Sequence, residues 1–240
     1  MIIYILLICH IIADFYFQPS YIAKKKQNHK SFLFIHGLIY TLIFAGAFGL
    51  LCEKRNAATP FFLITISHLV IDHIRIKLEN RYRSPKFNFI CFIIDQGLHV
   101  FIILITVKLF CVKLNPNLLK YIEYEKYGKP LILYILISMI VWSPAAIFIQ
   151  KLFAYIIPSE NEILENSATP EIGRIIGKLE RFLITYLILF NQLGSVGFII
   201  AAKSIARFKQ FDEQNFAEKY LVGTLASISI AFITTLIIKI

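Results

Sequence analysis

The segment NFICFIIDQGLHVFIILITVKLFCV, residues 88–112, decides the fold. Its apolar run exceeds the roughly 20 residues that an α-helix needs to cross a hydrocarbon core, yet it carries Asp95, Gln96 and His99 near its middle. Phe32–Leu51, Leu131–Ile157 and Phe182–Ala202 are apolar runs of the same kind. Continuous blocks argue against the short alternating strands of a membrane barrel. Helices are the remaining way to satisfy backbone polar groups in lipid.

The rest of the chain agrees. It is 58% hydrophobic and only 17% charged, with a mean hydropathy of +0.68, whereas a soluble domain carries about a quarter charged residues. The expected fold class is all-α, a polytopic transmembrane helical bundle of six to seven membrane helices. They are placed at 2–17, 32–52, 58–78, 88–112, 131–157, 182–203 and 219–239. Met1–Ile12 lacks a charged leading region and a small-residue cleavage site, so it reads as a retained helix and not a signal peptide. Pro19 ends the first helix, Pro60 opens the third, Pro85 separates third from fourth, and Pro144 kinks the fifth. A composition shift near 113–130 divides the chain into an N-terminal four-helix bundle, 1–112, and a C-terminal bundle, 113–240. The second includes an interfacial loop at 158–181 with a short amphipathic helix from Pro170. The four cysteines are scattered without a CxxC pair, so neither a zinc knuckle nor a disulfide framework is indicated.

The net charge of +10 sits in the connections. Lys24, Lys25, Lys26 and Lys30 form one cluster and Arg75, Lys77, Arg81, Arg83 and Lys86 another, and the positive-inside rule places both in the cytoplasm. The lipid bilayer is the expected partner of these basic groups, and no nucleic-acid-binding module accompanies them. Seven simple crossings would then leave Lys203, Arg207 and Lys209 outside. Six would suit the charges better, with 131–157, broken at Pro144, as a re-entrant hairpin.

Chemistry is concentrated in the first bundle. His10 and Asp14, His68 and Asp72, and Asp95 and His99 are each four residues apart, which stacks both side chains on one helix face about 5–6 Å apart. A further helix adds His36, one turn before Tyr40. Ionisable groups in a bilayer cost at least ~2.5–3.5 kcal/mol each, so these faces are expected to meet one another and not lipid. Imidazole with carboxylate is a ligand set for zinc or another first-row divalent ion. The same groups also suit a proton relay or hydrogen-bonded struts between helices. Gln18 and Gln96 are placed to orient ligands through their amides. Lys24, Lys25, Arg75 and Lys77, near the helix mouths, suit an anionic headgroup such as a phosphate-bearing lipid. His73 belongs to the headgroup layer and His29 to a solvated loop.

These residues carry a resemblance. His10-x3-Asp14-Phe15-x2-Gln18, Ala23-Lys24, His36, His68-x3-Asp72 with Lys77, and Asp95-Gln96-x2-His99 together resemble the bacterial membrane family called domain of unknown function 3307. Gly173-Arg174-x2-Gly177-x2-Glu180-Arg181, Ala202-Lys203-Ser204-x-Ala206-Arg207-Phe208, Glu218-x-Tyr220 and Gly223-Thr224-x2-Ser227 are similar to its longer members. The resemblance implies a helical fold in the bacterial inner (cytoplasmic) membrane, and no activity. By analogy of style, the pattern is similar both to inner-membrane metal-dependent hydrolases and to the His-x3-Asp pairs of cation diffusion facilitators.

Three functions follow from the residues. The first is a metal-dependent hydrolase of a lipid or phosphorylated small-molecule substrate. There His10, Asp14, His68, Asp72 and His99 hold the ion, and Asp95 or His36 is the general base. The second is a transporter of a divalent cation or proton. The third is a structural or regulatory membrane subunit in which the pairs only lock helices.

Overall fold

The computed structural model describes residues 1–53, 57–124, 128–156 and 169–239, and these residues are all-α with no strand. Helix α1 (Ile2–Ile11) runs into a π-helical turn (Ile12–Tyr16), and α2 (Ser20–Lys25) follows as a short connection. Next come α3 (Lys30–Gly46), itself extended by a π-turn (Ala47–Leu51), α4 (Ala58–Arg81) and α5 (Pro85–Leu109). The later elements are α6 (Pro116–Tyr124), α7 (Gly128–Trp142), α8 (Pro144–Ile156), α9 (Thr169–Leu189), α10 (Leu193–Ala206) and α11 (Gln214–Lys239). Four helical segments are long and apolar enough to cross a membrane: Lys30–Leu51, Pro85–Leu109, Gly128–Ile156 and Gln214–Ile237. Ile2–Tyr16 and Leu193–Ala206 are shorter apolar helices.

Prolines punctuate the chain as their missing N–H requires. Pro85, Pro116 and Pro144 each occupy the first position of a helix, and Pro19 caps α2 with extended backbone. At Pro144, however, hydrogen bonds continue from Ser143 N–H to the Met139 carbonyl (3.4 Å) and from Ile147 N–H to the Ser143 carbonyl (3.1 Å). The break is therefore a kink and not the re-entrant hairpin expected of 131–157.

The reversal lies elsewhere. The apolar run 182–203 is not one helix, because Asn191 adopts a left-handed φ of 59°. The Gln192 N–H reaches the Leu187 carbonyl (2.7 Å) and the Asn191 N–H the Ile188 carbonyl (3.0 Å), the bond pair of a Schellman ending. Asparagine is the side chain other than glycine that best tolerates this conformation. Similarly, α5 stops short of residue 112 because Cys111 has a φ of 46°, which turns the strand-like residues after it onto Leu51–Glu53. Of the loop expected at 158–181, residues 158–168 lie outside the described residues, and the remainder is helical from Thr169.

The chain divides into two compact units, Met1–Leu136 and Ile137–Ile240, with the boundary inside α7. In the first, α4 packs along both α3 and α5, and α1 packs against α3 and α5. Leu6, Phe44, Ile64 and Ile103 fill the centre, each 1% exposed or less. Between membrane helices such packing stabilises through close contact and not through exclusion of water. Gly37 makes the closest approach, since a Cβ there would collide with Leu69 Cδ2 of α4. Gly37→Ala is therefore expected to destabilise the bundle by about 1–3 kcal/mol, measured by thermal unfolding in detergent. Shortening Leu69 to Ala in the same chain should relieve most of the loss.

In the second unit α9 packs on α8, α10 and α11. The reversal at Asn191 returns Lys203 to Glu180, where they form an ion pair of 2.6 Å, and Lys203 also donates to Thr224 (3.3 Å). Arg181, 3% exposed, donates to the Val141 carbonyl (3.1 Å) at the end of α7 and to Ser227 Oγ (3.4 Å). These are structural ties between α7, α9, α10 and α11.

Candidate metal centre

Local helical geometry assembles the site. On α4, His68, Asp72, Arg75 and Glu79 follow spacings of four, three and four and so form one stripe. His36 and Tyr40 do the same on α3, as do Asp95 and His99 on α5. On α1 the π-turn, closed by the Phe17 N–H on the Ile12 carbonyl (2.8 Å), widens the helix where it carries Asp14. Widened turns of this kind recur at functional sites.

All these faces meet. His10, His36, His68, His99, Asp72 and Asp95 are 3% exposed or less, and Asp14 is 9% exposed. The pairs four residues apart are the longer contacts: 4.0 Å for His10–Asp14, 4.0 Å for His68–Asp72 and 3.9 Å for Asp95–His99. Shorter ones run between helices. His36 Nε2 lies 3.1 Å from His68 Nε2, 3.3 Å from Asp72 Oδ2 and 3.5 Å from Asp14 Oδ1, and His68 Nε2 is 3.7 Å from that Asp14 oxygen. A tetrahedral ion with N and O ligands at ~2.0–2.1 Å holds them ~3.3–3.4 Å apart. Two sets of donor atoms, His36/His68/Asp72 and His10/Asp14/His68, lie mutually within 4.8 Å.

Surrounding groups fix the imidazoles. With the Gln18 amide turned so that both its ends find partners, its oxygen accepts from Lys26 Nζ (2.7 Å) and His36 Nδ1 (3.2 Å) and its nitrogen donates to the Asp14 carbonyl (3.3 Å). His36 Nε2 is thereby left as a bare lone pair facing His68 and the carboxylates. Gln96 donates to Asp95 Oδ2 (3.0 Å) and Asp14 Oδ2 (3.4 Å), so its oxygen accepts from His10 Nε2 at 3.3 Å. His10 Nδ1 then carries the lone pair, which accepts from the Tyr40 hydroxyl at 3.4 Å. His99 gives its Nδ1 proton to the Asp95 carbonyl (2.8 Å). Its Nε2, like Asp14 Oδ1, is buried without a hydrogen-bond partner. Both glutamines thus hydrogen-bond buried His and Asp residues.

Other residues sit differently from their sequence reading. Arg75 turns inward, away from any headgroup, and donates to Asp95 Oδ2 (2.8 Å) and Glu79 Oε1 (3.0 Å). The ion pair and Gln96 occupy Asp95, which therefore serves as Arg75's counter-ion more readily than as a base. His36 stands among the ligand candidates instead of beside them. Lys77, His73 and His29 are exposed. Lys24 belongs to α2, and its side chain lies outside the described residues. Two participants were not singled out by sequence. Lys26, 8% exposed, donates to Asp72 Oδ2 at 2.7 Å, but within a lysine run it reads as a topology signal. Glu79 continues the α4 stripe, and its periodicity was the available clue.

Charge completes the description. Among the described residues of this unit, the buried carboxylates are Asp14, Asp72, Asp95 and Glu79, and the buried cation is Lys26. Arg75, with 17% of its side chain exposed, is the second cation. With the four carboxylates ionised and the imidazoles neutral, four negative charges against two positive would leave an excess of two negative charges. One divalent cation would cancel it, and uncompensated charge in so dry a place is expensive.

The family model described as "Protein of unknown function (DUF3307)" matches residues 2–128. The chain belongs to that family. The DUF3307 match spans α1 to α6 and so takes in every residue of the site. No curated protein and no solved structure matches the chain.

Proposed function

We propose that this DUF3307 protein carries a divalent cation through the membrane, and that the ion is held within the first unit by His36, His68 and Asp72 with Asp14 beside them. The observation that carries the reading is the buried excess of two negative charges around convergent imidazole and carboxylate donors. Hydrogen-bonded struts between helices need no such net charge, which counts against a purely structural subunit. Neutral imidazoles with carboxylate oxygens suit zinc or another first-row divalent ion. A bound proton pair would balance the charge too, but would not need three donors at ligand spacing.

Transport is favoured over hydrolysis by what walls the donors. The Tyr40 ring stacks on His68 at 3.6 Å, the His99 ring lies 4.5 Å from it, and Lys26 and Gln18 cover the Asp72 side. Neighbours packed this closely on the donors suit an ion better than a lipid or phosphorylated substrate. Four helical segments long and apolar enough to cross support a multi-pass membrane topology, and a bacterial inner membrane is the location proposed for it. Six crossings, by α1, α3, α4, α5, α7 with α8, and α11, together with the α9–α10 reversal, put all the basic clusters, Lys203 and Arg207 included, on the cytoplasmic side.

The test is zinc flux into proteoliposomes carrying the full-length protein and an enclosed zinc-responsive dye, with metal content measured on the same preparation. About one ion per chain and protein-dependent flux are expected. A metal-free protein without flux would overturn the reading, and release of phosphate or fatty acid in place of flux would return the hydrolase.

A further inference from the structure

The two donor sets share His68 but not their other members, and they are stacked along the bundle. On α4 the step from Asp72 to His68, and on α1 the step from Asp14 to His10, each run one helical turn, about 6 Å, away from the lysine-bearing connection 20–30. His36/His68/Asp72 is the set nearer that connection, and His10/Asp14/His68 is the deeper one.

We infer that the deeper set is a second resting position for the same cation, and that the ion passes between the two while His68 stays bound. The inference rests on the cation-carrier reading above. Asp14 is built for the exchange. Its Oδ1 lies toward His36 (3.5 Å) and His68 (3.7 Å), whereas its Oδ2 lies toward Gln96 (3.4 Å) and His10 Nδ1 (4.0 Å). One carboxylate thus faces both positions, and a shift from one oxygen to the other moves the ion without releasing it. The Gln96 amide keeps the lone pair of His10 on Nδ1, the nitrogen nearer Asp14.

His99 supplies the second, independent observation. Its Nε2 is a lone pair, because Nδ1 donates to the Asp95 carbonyl, and it is buried with no partner. The His99 ring lies 5.3 Å from that of His10, which belongs to the deeper set alone, and 4.5 Å from that of His68, which both sets share. An orphaned buried imidazole nitrogen is unusual, and a cation at the deeper position would give it a partner. The excess of negative charge allows one divalent ion in total, so the two positions alternate and are not filled together.

The experiment uses equilibrium zinc binding to the full-length protein in detergent, together with flux in proteoliposomes. His36→Ala removes a donor from the nearer set alone and should still bind one zinc, with affinity reduced by about 10–100-fold. Adding His10→Ala should then abolish binding. His10→Ala alone should keep about one ion per chain while flux falls by at least about tenfold. The inference is overturned if His36→Ala holds no zinc, if the double variant binds as His36→Ala does, or if His10→Ala transports like wild type. A wild-type protein that binds no zinc would instead remove the underlying reading. Should His10→Ala fail to fold, His99→Gln offers the same flux comparison, and unchanged flux there also overturns the inference.

Discussion

The His68→Ala protein is expected to bind zinc more weakly than wild type by more than about 100-fold, beyond the ~10–100-fold cost of losing a group that merely orients a ligand. His68 is the imidazole common to both donor sets, so no alternative position rescues the ion when it is lost. Its removal also leaves His36 Nε2 without the neighbour 3.1 Å away and takes one of the two rings stacked on Tyr40, the other being Phe44. Competitive zinc titration measures the change. His29→Ala and His73→Ala, which alter exposed histidines, are the controls and should bind as wild type does. Near-wild-type affinity in His68→Ala would remove this imidazole from any metal assignment.

Arg75→Met should destabilise the first unit by about 3–5 kcal/mol, the usual cost of stripping one partner from a buried ion pair. The guanidinium holds Asp95 at 2.8 Å and Glu79 at 3.0 Å, and both carboxylates are buried. Removing the cation strands two negative charges in a group that already carries an excess of them. Neutralising them with Asp95→Asn and Glu79→Gln in the same chain should recover much of the loss, and thermal unfolding of all three proteins in detergent checks both statements. A headgroup-binding arginine would behave otherwise, because its loss would leave the fold intact and weaken only lipid association.

The origin of these effects was partly legible in the sequence. Spacing of four put His and Asp on common faces of α1, α4 and α5, and the cost of burying charge in lipid pointed those faces inward. What spacing could not convey is which helix supplies the neighbour. His36 looked like a lone addition and is central, because α3 crosses α4 closely enough at Gly37 to bring the two Nε2 atoms together. Arg75 looked interfacial because positive residues near a helix end ordinarily are. Of its two partners, Glu79 is one turn on and Asp95 is twenty residues away on the next helix. Lys26 was hidden by its neighbours, since one buried lysine in a run of exposed ones leaves no pattern. The two turns at Cys111 and Asn191 were missed for a related reason. Left-handed backbone is signalled by glycine, and neither position has one.

Helix α4 has a consequence for how the protein is made. At 24 residues it is as long as the spanning helices, but Asp72, Arg75, Lys77, Glu79 and Arg81 keep it outside the set that is apolar enough to cross unaided. A segment with that content gains too little from lipid to enter it as an independent helix, since a charged residue at mid-bilayer costs about 2.5–3.5 kcal/mol on insertion scales. The groups that neutralise its stripe arise from both directions in the chain. Lys26 and His36 are synthesised before it, and Asp95 is synthesised after it. Insertion of α4 is therefore expected to be coupled to completion of α5, because Asp95 on α5 pairs with Arg75 on α4. The polar stripe proposed to hold an ion would thus also set the unit of membrane insertion during synthesis.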